Sequence, residues 1–172
     1  LTSLQREANR VLGFTADKTL KTAQSLYEGK KAITYPRTDS RYLPNDMIGR
    51  VNKALASLQD SYQQAVAGIP RKEGKLPYSR RIFDDSRVSD HHAIIPTSQQ
   101  ADLSKFTADE RALYNLVALR FIAAFYPAFE YDQTTVITKA EGEAFRSYGR
   151  VVTQKGWKAV IKSEAKKKEA EE

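Results

Sequence analysis

Tyr35 and Arg37, two residues apart, are the side chains in this sequence best suited to phosphate chemistry. Pro36 between them fixes its own backbone angle and favours an extended Tyr35. Residues two apart in extended chain project to the same side, so the phenol and the guanidinium are expected to face one place. A phenol oxygen can attack phosphorus while a guanidinium binds the non-bridging oxygens. The pair therefore predicts a nucleophile beside a group that stabilises charge.

A Tyr-x-Arg triplet by itself more often marks a half-buried tyrosine beside a surface arginine, and this chain has nine tyrosines. An ordinary phenol has a pKa of about 10, so it needs a neighbouring cation or base to act as a nucleophile at neutral pH. Arg37 is the candidate activator. Thr38, Asp39 and Ser40 follow directly and are residue types that usually form turns.

His91 and His92 are the second candidate group. An imidazole with a pKa near 6.5 can donate a hydrogen bond to phosphate or relay a proton. An isolated His-His pair is more often simply part of a loop. A metal site is disfavoured, because adjacent histidines rarely chelate together, no third ligand is apparent, and the chain has no cysteine.

The elements around these residues are predicted from hydrophobic spacing. Two short helices open the chain, the first stopped by Gly13 and the second capped by Thr15 and ended by Gly29. Such a pair could read DNA as a helix-turn-helix, but most such pairs only pack. Further helices are predicted from Asn45 to Gly68 and from Thr107 to Phe125, the latter with a Thr-x-x-Glu capping box. Residues 69–97 are predicted to be a long loop with short strands.

Residues beyond Pro127 change to a β pattern. Strands are predicted at residues 134–138, 144–152 and 157–161, separated by turns that contain glycine. Helices first and strands last predict an α+β, mainly helical fold with a boundary near residues 129–132.

Composition narrows the class of partner. The net charge is +7, and the tail at residues 162–172 carries as many glutamates as lysines, so the excess lies before it. This favours an anionic partner such as nucleic acid. No stretch is long enough to span a membrane, and the absence of cysteine fits an intracellular location. The chain starts without Met and ends in a charged run, which suggests an excised piece.

Two complete strings resemble type IA DNA topoisomerases. Residues 33–40, Ile-Thr-Tyr-Pro-Arg-Thr-Asp-Ser, are similar to the family's active-site tyrosine motif, and the proline and the following Leu43-Pro44 resemble the bacterial topoisomerase III branch. Residues 89–97, Ser-Asp-His-His-Ala-Ile-Ile-Pro-Thr, resemble its histidine motif. Residues 24–28, 131–134 and 156–157 look like further landmarks, so the resemblance extends to about Ile161.

The resemblance implies the roles of these residues. Tyr35 would attack a single-stranded DNA phosphodiester to give a 5′-phosphotyrosine and a free 3′-hydroxyl, and another strand would pass before religation without ATP. Arg37 would stabilise the transferring phosphate and His91 would contact it, whereas no role transfers to His92. The polar cluster after Arg37 would orient the site or bind DNA; it comprises Thr38, Asp39 and Ser40.

The resemblance also implies an incomplete site. The family binds Mg²⁺ through an Asp-x-Asp-x-Glu cluster in a separate N-terminal domain, and this sequence has no such spacing and no metal site of its own. Cleavage would need that domain as a partner, so the chain alone should not cut DNA. The expected location is the bacterial cytoplasm, in association with nucleoid or plasmid.

The resemblance further implies a division of the chain. Residues 1–130 would form a catalytic-tyrosine domain that contains the helix-turn-helix, residues 131–161 would be strands of the arch domain, and residues 162–172 a charged tail or linker. The strands would lack their usual partners and could pair with a second copy of the chain.

Three alternative functions share features with this sequence. A tyrosine recombinase has its tyrosine near the C-terminus, whereas Tyr35 comes near the start. A non-catalytic single-stranded DNA-binding module would use the same basic and aromatic residues and is the main alternative. A pure protein-interaction domain is disfavoured by the two motifs.

Overall fold

The computed structural model describes residues 1–58 and 60–161, and within them the chain forms five α-helices followed by one two-stranded antiparallel sheet. By its internal contacts the chain divides into one compact unit, Leu1–Phe125, and a second that begins at Tyr126. The mainly helical α+β fold is therefore confirmed. The predicted domain limits at residues 130 and 161 stay predictions, and the tail at residues 162–172 lies outside the described residues.

The predicted stop of the first helix at Gly13 and the predicted cap of the second at Thr15 are confirmed, whereas the second α-helix ends at Gln24 and not at Gly29. Helix α1 spans Thr2–Leu12 and ends at Gly13, whose φ of 68° closes the helix in the left-handed conformation. Helix α2 spans Ala16–Gln24, and the Thr15 hydroxyl accepts a hydrogen bond from the backbone N–H of Lys18 at 3.1 Å. A π-helical turn, Ser25–Gly29, continues from α2.

The predicted single helix from Asn45 to Gly68 is wrong. A 3₁₀ turn at Asn45–Met47 leads into α3, Ile48–Ala56, and α4 follows at Asp60–Ala67. The break falls after Ser57, whose hydroxyl lies 2.9 Å from the Ala54 carbonyl and 3.1 Å from the Thr97 carbonyl. The serine thus binds the end of α3 to a distant loop.

Helix α5, Ala108–Ala123, is the centre of the first unit and contacts α1, α2, α4 and the π-helical turn. Its capping box is present as predicted, with Thr107 and Glu110 each bonding the other's backbone N–H. Its many buried side chains explain this central position; they include Leu113, Tyr114, Val117, Ala118, Phe121 and Ile122. None of the described helices is both long and apolar enough to cross a membrane.

The second unit is a long hairpin. Strand β1, Glu130–Ala140, pairs with β2, Glu143–Gln154, across a two-residue turn. The third predicted strand, residues 157–161, is wrong, because Gly156–Ala159 forms a 3₁₀ turn. Gly156 has φ 45°, and the Trp157 N–H donates to the Pro127 carbonyl at 3.0 Å, which turns the chain away from the sheet.

Candidate active site

Backbone pairing joins the tyrosine segment to the histidine segment. Ile33 and Pro96 form an antiparallel bridge. The N–H of Thr34 donates to the Ile95 carbonyl at 2.9 Å, and the N–H of Thr97 donates to the Ala32 carbonyl at 3.0 Å. These bonds fix the register of two segments that are about sixty residues apart in sequence. The motif residues are therefore neighbours because of the fold.

Two threonine hydroxyls strengthen this junction. Thr34 Oγ1 donates to the Ala93 carbonyl at 3.2 Å and accepts from the Ile95 N–H at 3.0 Å. Thr38 Oγ1 donates to the His91 carbonyl at 3.0 Å and accepts from the Ser40 N–H at 3.0 Å. Thr38 is buried, so these bonds form away from water and hold the backbone of His91 in place.

The rings of Tyr35 and His91 are in contact, with centroids 4.4 Å apart and planes inclined by 44°. Tyr35 is half-buried and His91 is exposed, so the pair lies at the surface of the first unit. Pro36, directly after the tyrosine, is almost fully buried and anchors the segment. The arrangement brings a phenol and an imidazole, the two groups singled out for phosphate chemistry, onto one surface.

Tyr27 is a neighbour of this pair for which the sequence predicted no role at the site. Its ring meets the Tyr35 ring edge-on at 5.4 Å, and Lys31 Nζ lies 5.7 Å from the Tyr27 ring centroid. Tyr27 lies in the π-helical turn, an irregular form that is frequent at functional sites. The sequence placed Tyr27 within the second predicted helix, and its local pattern could not show that this helix widens there.

A buried carboxylate holds the π-helical turn against α5. The Ser25 hydroxyl donates to Glu110 Oε1 at 2.6 Å, the Thr107 N–H donates to Oε2 at 2.8 Å, and Lys30 Nζ lies 3.8 Å from Oε2. Burial alone would raise the pKa of Glu110, but these hydrogen bonds and the lysine charge together lower it below its ordinary value of 4.5. Glu110 is therefore an ionised support beneath the turn that carries Tyr27.

The residues after Arg37 are mostly engaged within the protein. The Ser40 hydroxyl accepts from the Tyr42 N–H at 3.1 Å and donates to the Arg87 carbonyl at 3.0 Å. Asp39 is exposed and lines a groove of about 540 Å³. Thr38 and Ser40 thus bind other parts of the protein, and their orienting role remains a prediction.

Arg37 differs from its neighbours because it is exposed and makes no hydrogen bond, ion pair or ring contact with residues 1–58 or 60–161. No contact joins it to Tyr35 either, so the predicted pairing of the two side chains remains a prediction. A guanidinium without a protein partner can bind an incoming anion without first breaking an ion pair. His92 is half-buried, with Nδ1 2.8 Å from the Ala93 carbonyl.

The described residues offer no place for a metal. Among them no three His, Asp or Glu side chains cluster in a way that could hold an ion. Mg²⁺ prefers several oxygen ligands in octahedral geometry. The described surface around Tyr35 therefore does not fit Mg²⁺.

Comparison with known proteins shows the family of this chain. A family profile described as DNA topoisomerase matches residues 1–172. The chain is 45% identical over 161 residues to DNA topoisomerase 3 from Bacillus licheniformis and from Bacillus subtilis, and 43% identical over 164 residues to that from Bacillus anthracis. The matches cover 93–95% of this chain and 22% of each relative, so the chain spans about a fifth of their length.

A solved structure is also similar. Full-length topoisomerase I from Thermotoga maritima matches with a TM-score of 0.61 and 26% identity, over 94% of this chain and 26% of that protein. The profile, the relatives and the solved structure all cover the region where the tyrosine and histidine segments meet. This chain belongs to the type IA DNA topoisomerase family.

Proposed function

We propose that this chain supplies the nucleophile of a topoisomerase that cuts and reseals one DNA strand. The observation that carries the proposal is the contact between the rings of Tyr35 and His91. Arg37 follows two residues after Tyr35 and has no partner among the described residues. A phenol and an imidazole on one surface, with a guanidinium close by in the chain, suit attack on a phosphodiester. A module that only bound DNA would not need the Tyr35 hydroxyl.

The proposed reaction exchanges one phosphate ester for another. The Tyr35 oxygen forms a bond to phosphorus, and the bond from phosphorus to the 3′-oxygen breaks. The phenol loses one proton and the leaving 3′-oxygen gains one, so the number of protons is unchanged. Arg37 binds the non-bridging oxygens as charge develops, and His91 contacts the same phosphate. Religation is the reverse transfer. The phosphotyrosine ester conserves the energy of the broken phosphodiester bond, so no ATP is needed.

The rest of the machinery would lie in other parts of a longer protein. The sequence has no Asp-x-Asp-x-Glu spacing, so Mg²⁺ would be bound by another domain of the same enzyme. Helices α1 and α2 would be the helix-turn-helix of the tyrosine domain, and the hairpin would belong to the arch. The partner of the site is single-stranded DNA, and the proposed location is the bacterial cytoplasm.

The hydroxyl of Tyr35 can be tested directly. In the longer enzyme that contains this segment, Tyr35→Phe should abolish the covalent DNA adduct, because the attacking oxygen is lost, while DNA binding is retained. Denaturing gels of labelled oligonucleotide measure the adduct, and fluorescence anisotropy measures binding. An adduct that survives in Tyr35→Phe would refute the assignment. The 172-residue chain alone should form no adduct with or without Mg²⁺.

Arg37 should act on cleavage more than on binding. Arg37→Ala should slow cleavage by about 100-fold or more with a much smaller loss of affinity, because its interaction strengthens in the transition state. Arg50→Ala is the matched control, since Arg50 is also exposed and lies on α3. Equal losses in cleavage and binding would show that Arg37 only binds the DNA backbone.

A further inference from the structure

The β-hairpin has two chemically different faces. Its register places alternate residues of β1 and β2 together on each side of the ribbon. On one side every charged residue is basic, and we call this side the cationic face; it comprises Tyr131, Gln133, Thr135, Ile137, Lys139, Ala144, Arg146, Tyr148, Arg150 and Val152. The opposite face carries Asp132 and Glu143 instead.

The arginines of the cationic face are oriented without being neutralised. Arg150 Nε donates to Gln133 Oε1 at 3.0 Å, and its guanidinium lies 5.0 Å from the Tyr131 ring centroid. Arg146 Nη1 lies 3.4 Å from the Tyr148 hydroxyl. Neither arginine forms an ion pair within the described part of the chain. Both charges therefore remain available to an anion outside the hairpin.

Aromatic rings alternate with these charges. Arg146, Tyr148 and Arg150 follow one another on the same side of β2, and the two arginine backbones are about 13 Å apart. Tyr148 is 61% exposed and Tyr131 is 40% exposed. Phe129 extends the row at the base of the hairpin, where its ring lies 5.5 Å from that of Tyr131 and 3.6 Å from Lys158 Nζ.

We propose that the cationic face is a second binding surface for single-stranded DNA, separate from the Tyr35 site. Arg146 and Arg150 bind phosphates, and Tyr148 between them stacks on a base. The proposal rests on single-stranded DNA being the substrate in the proposed function. A row of alternating cations and exposed aromatic rings is complementary to a strand with alternating phosphates and unpaired bases.

Other occupants fit the cationic face less well. A second copy of the chain would bring the same three positive charges, Lys139, Arg146 and Arg150, against themselves. A duplex offers phosphates but no open base faces for Tyr148 and Tyr131. An apolar protein surface would bury two arginines that have no carboxylate partner in the described residues, which is costly.

The charge contribution is tested on the whole 172-residue chain with a fluorescent oligothymidine. Arg146→Glu/Arg150→Glu should weaken binding by at least about tenfold at low salt. The slope of log affinity against log salt should fall by about 1.4, since each phosphate contact to a single strand contributes about 0.7. Lys53→Glu/Lys75→Glu changes the net charge equally at exposed positions of the first unit and should have a much smaller effect.

The stacking contribution has a closely matched control. Tyr148→Ala should weaken binding of the oligothymidine about five- to 100-fold. Tyr148→Phe should bind as tightly as the original chain, because a phenyl ring also stacks. Phe145→Ala removes a ring that is equally exposed, at 59%, but lies on the opposite face, and should leave binding unchanged. Trp157, the only tryptophan, lies just after β2 and should report strand binding by a fluorescence change that the Arg146→Glu/Arg150→Glu variant loses.

The outcomes separate this proposal from the catalytic one. Unchanged oligothymidine binding in both the Arg146→Glu/Arg150→Glu variant and Tyr148→Ala would overturn the proposal that the cationic face binds DNA. An equal loss of binding in the Lys53→Glu/Lys75→Glu control would also overturn it, and so would equally tight binding of duplex DNA. Circular dichroism confirms that each variant folds. None of these measurements involves Tyr35 chemistry, so the adduct test stands or fails independently.

Discussion

The two units of this chain hold their functional residues in opposite ways. In Leu1–Phe125, hydrogen bonds join residues far apart in sequence, such as Thr38 to His91 and Ser25 to Glu110. In the hairpin, every bond of the ladder joins strands that follow each other directly, and every residue of β1 is exposed. The first arrangement fixes a few atoms in three dimensions, whereas the second presents a row of side chains in a regular order.

The difference matches the two proposed tasks. Attack on phosphorus needs groups held close to their productive positions, which a buried hydrogen-bonded junction provides. Binding an extended strand needs only a repeating row of charges and rings, and a ribbon provides it without a core of its own. If this comparison is right, the two units should respond very differently to the same perturbation.

Hydrogen exchange should show the largest contrast. Amides of α5 should exchange only through unfolding of the first unit, whereas those of β1 and β2 should be the least protected of the regular elements, because an isolated two-stranded sheet is marginally stable. Exchange measured by mass spectrometry at low and high protein concentration tests this.

The concentration dependence separates the explanations. Protection of residues 131–161 that rises with concentration would show strand pairing between copies of the chain, through the free edges of β1 and β2. Strong protection that does not depend on concentration would contradict the contrast between the units.

A matched pair of phenylalanine substitutions should differ by several kcal/mol. Phe83 is 1% exposed and contacts Phe125 and Tyr78, so Phe83→Ala should destabilise the first unit by about 3–5 kcal/mol. Phe145→Ala on the hairpin should cost less than about 1 kcal/mol. Urea unfolding followed by circular dichroism of the helices measures both. Equal losses would mean that the exposed ring on the hairpin is part of a core.

Two glycines of the second unit should respond to alanine substitution with opposite changes in stability. A Cβ at Gly156 would lie 2.1 Å from the Ala128 carbonyl oxygen, and φ there is 45°. Gly156→Ala should therefore destabilise the base of the hairpin by about 1–3 kcal/mol or more. Gly149→Ala, where a Cβ meets nothing within 4 Å, should stabilise β2 by about 0.5–1 kcal/mol. Thermal unfolding followed by Trp157 fluorescence distinguishes the two signs.

The effect of the Glu110 carboxylate on stability should depend on pH. Folding lowers the pKa of Glu110, so its ionised form stabilises the first unit fully above the ordinary value of 4.5, and this contribution is lost as the pH falls through the lower folded value. Glu110→Gln should cost about 1–2 kcal/mol at neutral pH and progressively less in acid. Glu28→Gln, at an exposed position, should show no such trend. A loss for Glu110→Gln that is constant with pH would refute this role.

Local patterns in the sequence determined much of the helical framework and the identity of the motif residues. The stop at Gly13, the cap at Thr15 and the capping box of α5 depend on residues within one helical turn, so the sequence predicts them correctly. The tyrosine and histidine strings likewise indicate their chemistry, through their resemblance to the motifs of the family. The roles of Tyr35, Arg37 and His91 remain predictions for the adduct assay.

Only the tertiary structure decided which of these residues meet. The break after Ser57, the 3₁₀ turn at Gly156 and the edge contact of Tyr27 with Tyr35 all depend on atoms more than seven residues away, which no local pattern contains. The Tyr35–His91 contact depends on bonds that cross more than fifty residues, such as Thr38 to the His91 carbonyl. Sequence periodicity shows which residues one element buries, whereas such long-range bonds form only when the whole first unit folds. The residues of the site could therefore be predicted from the sequence, but their contacts could not.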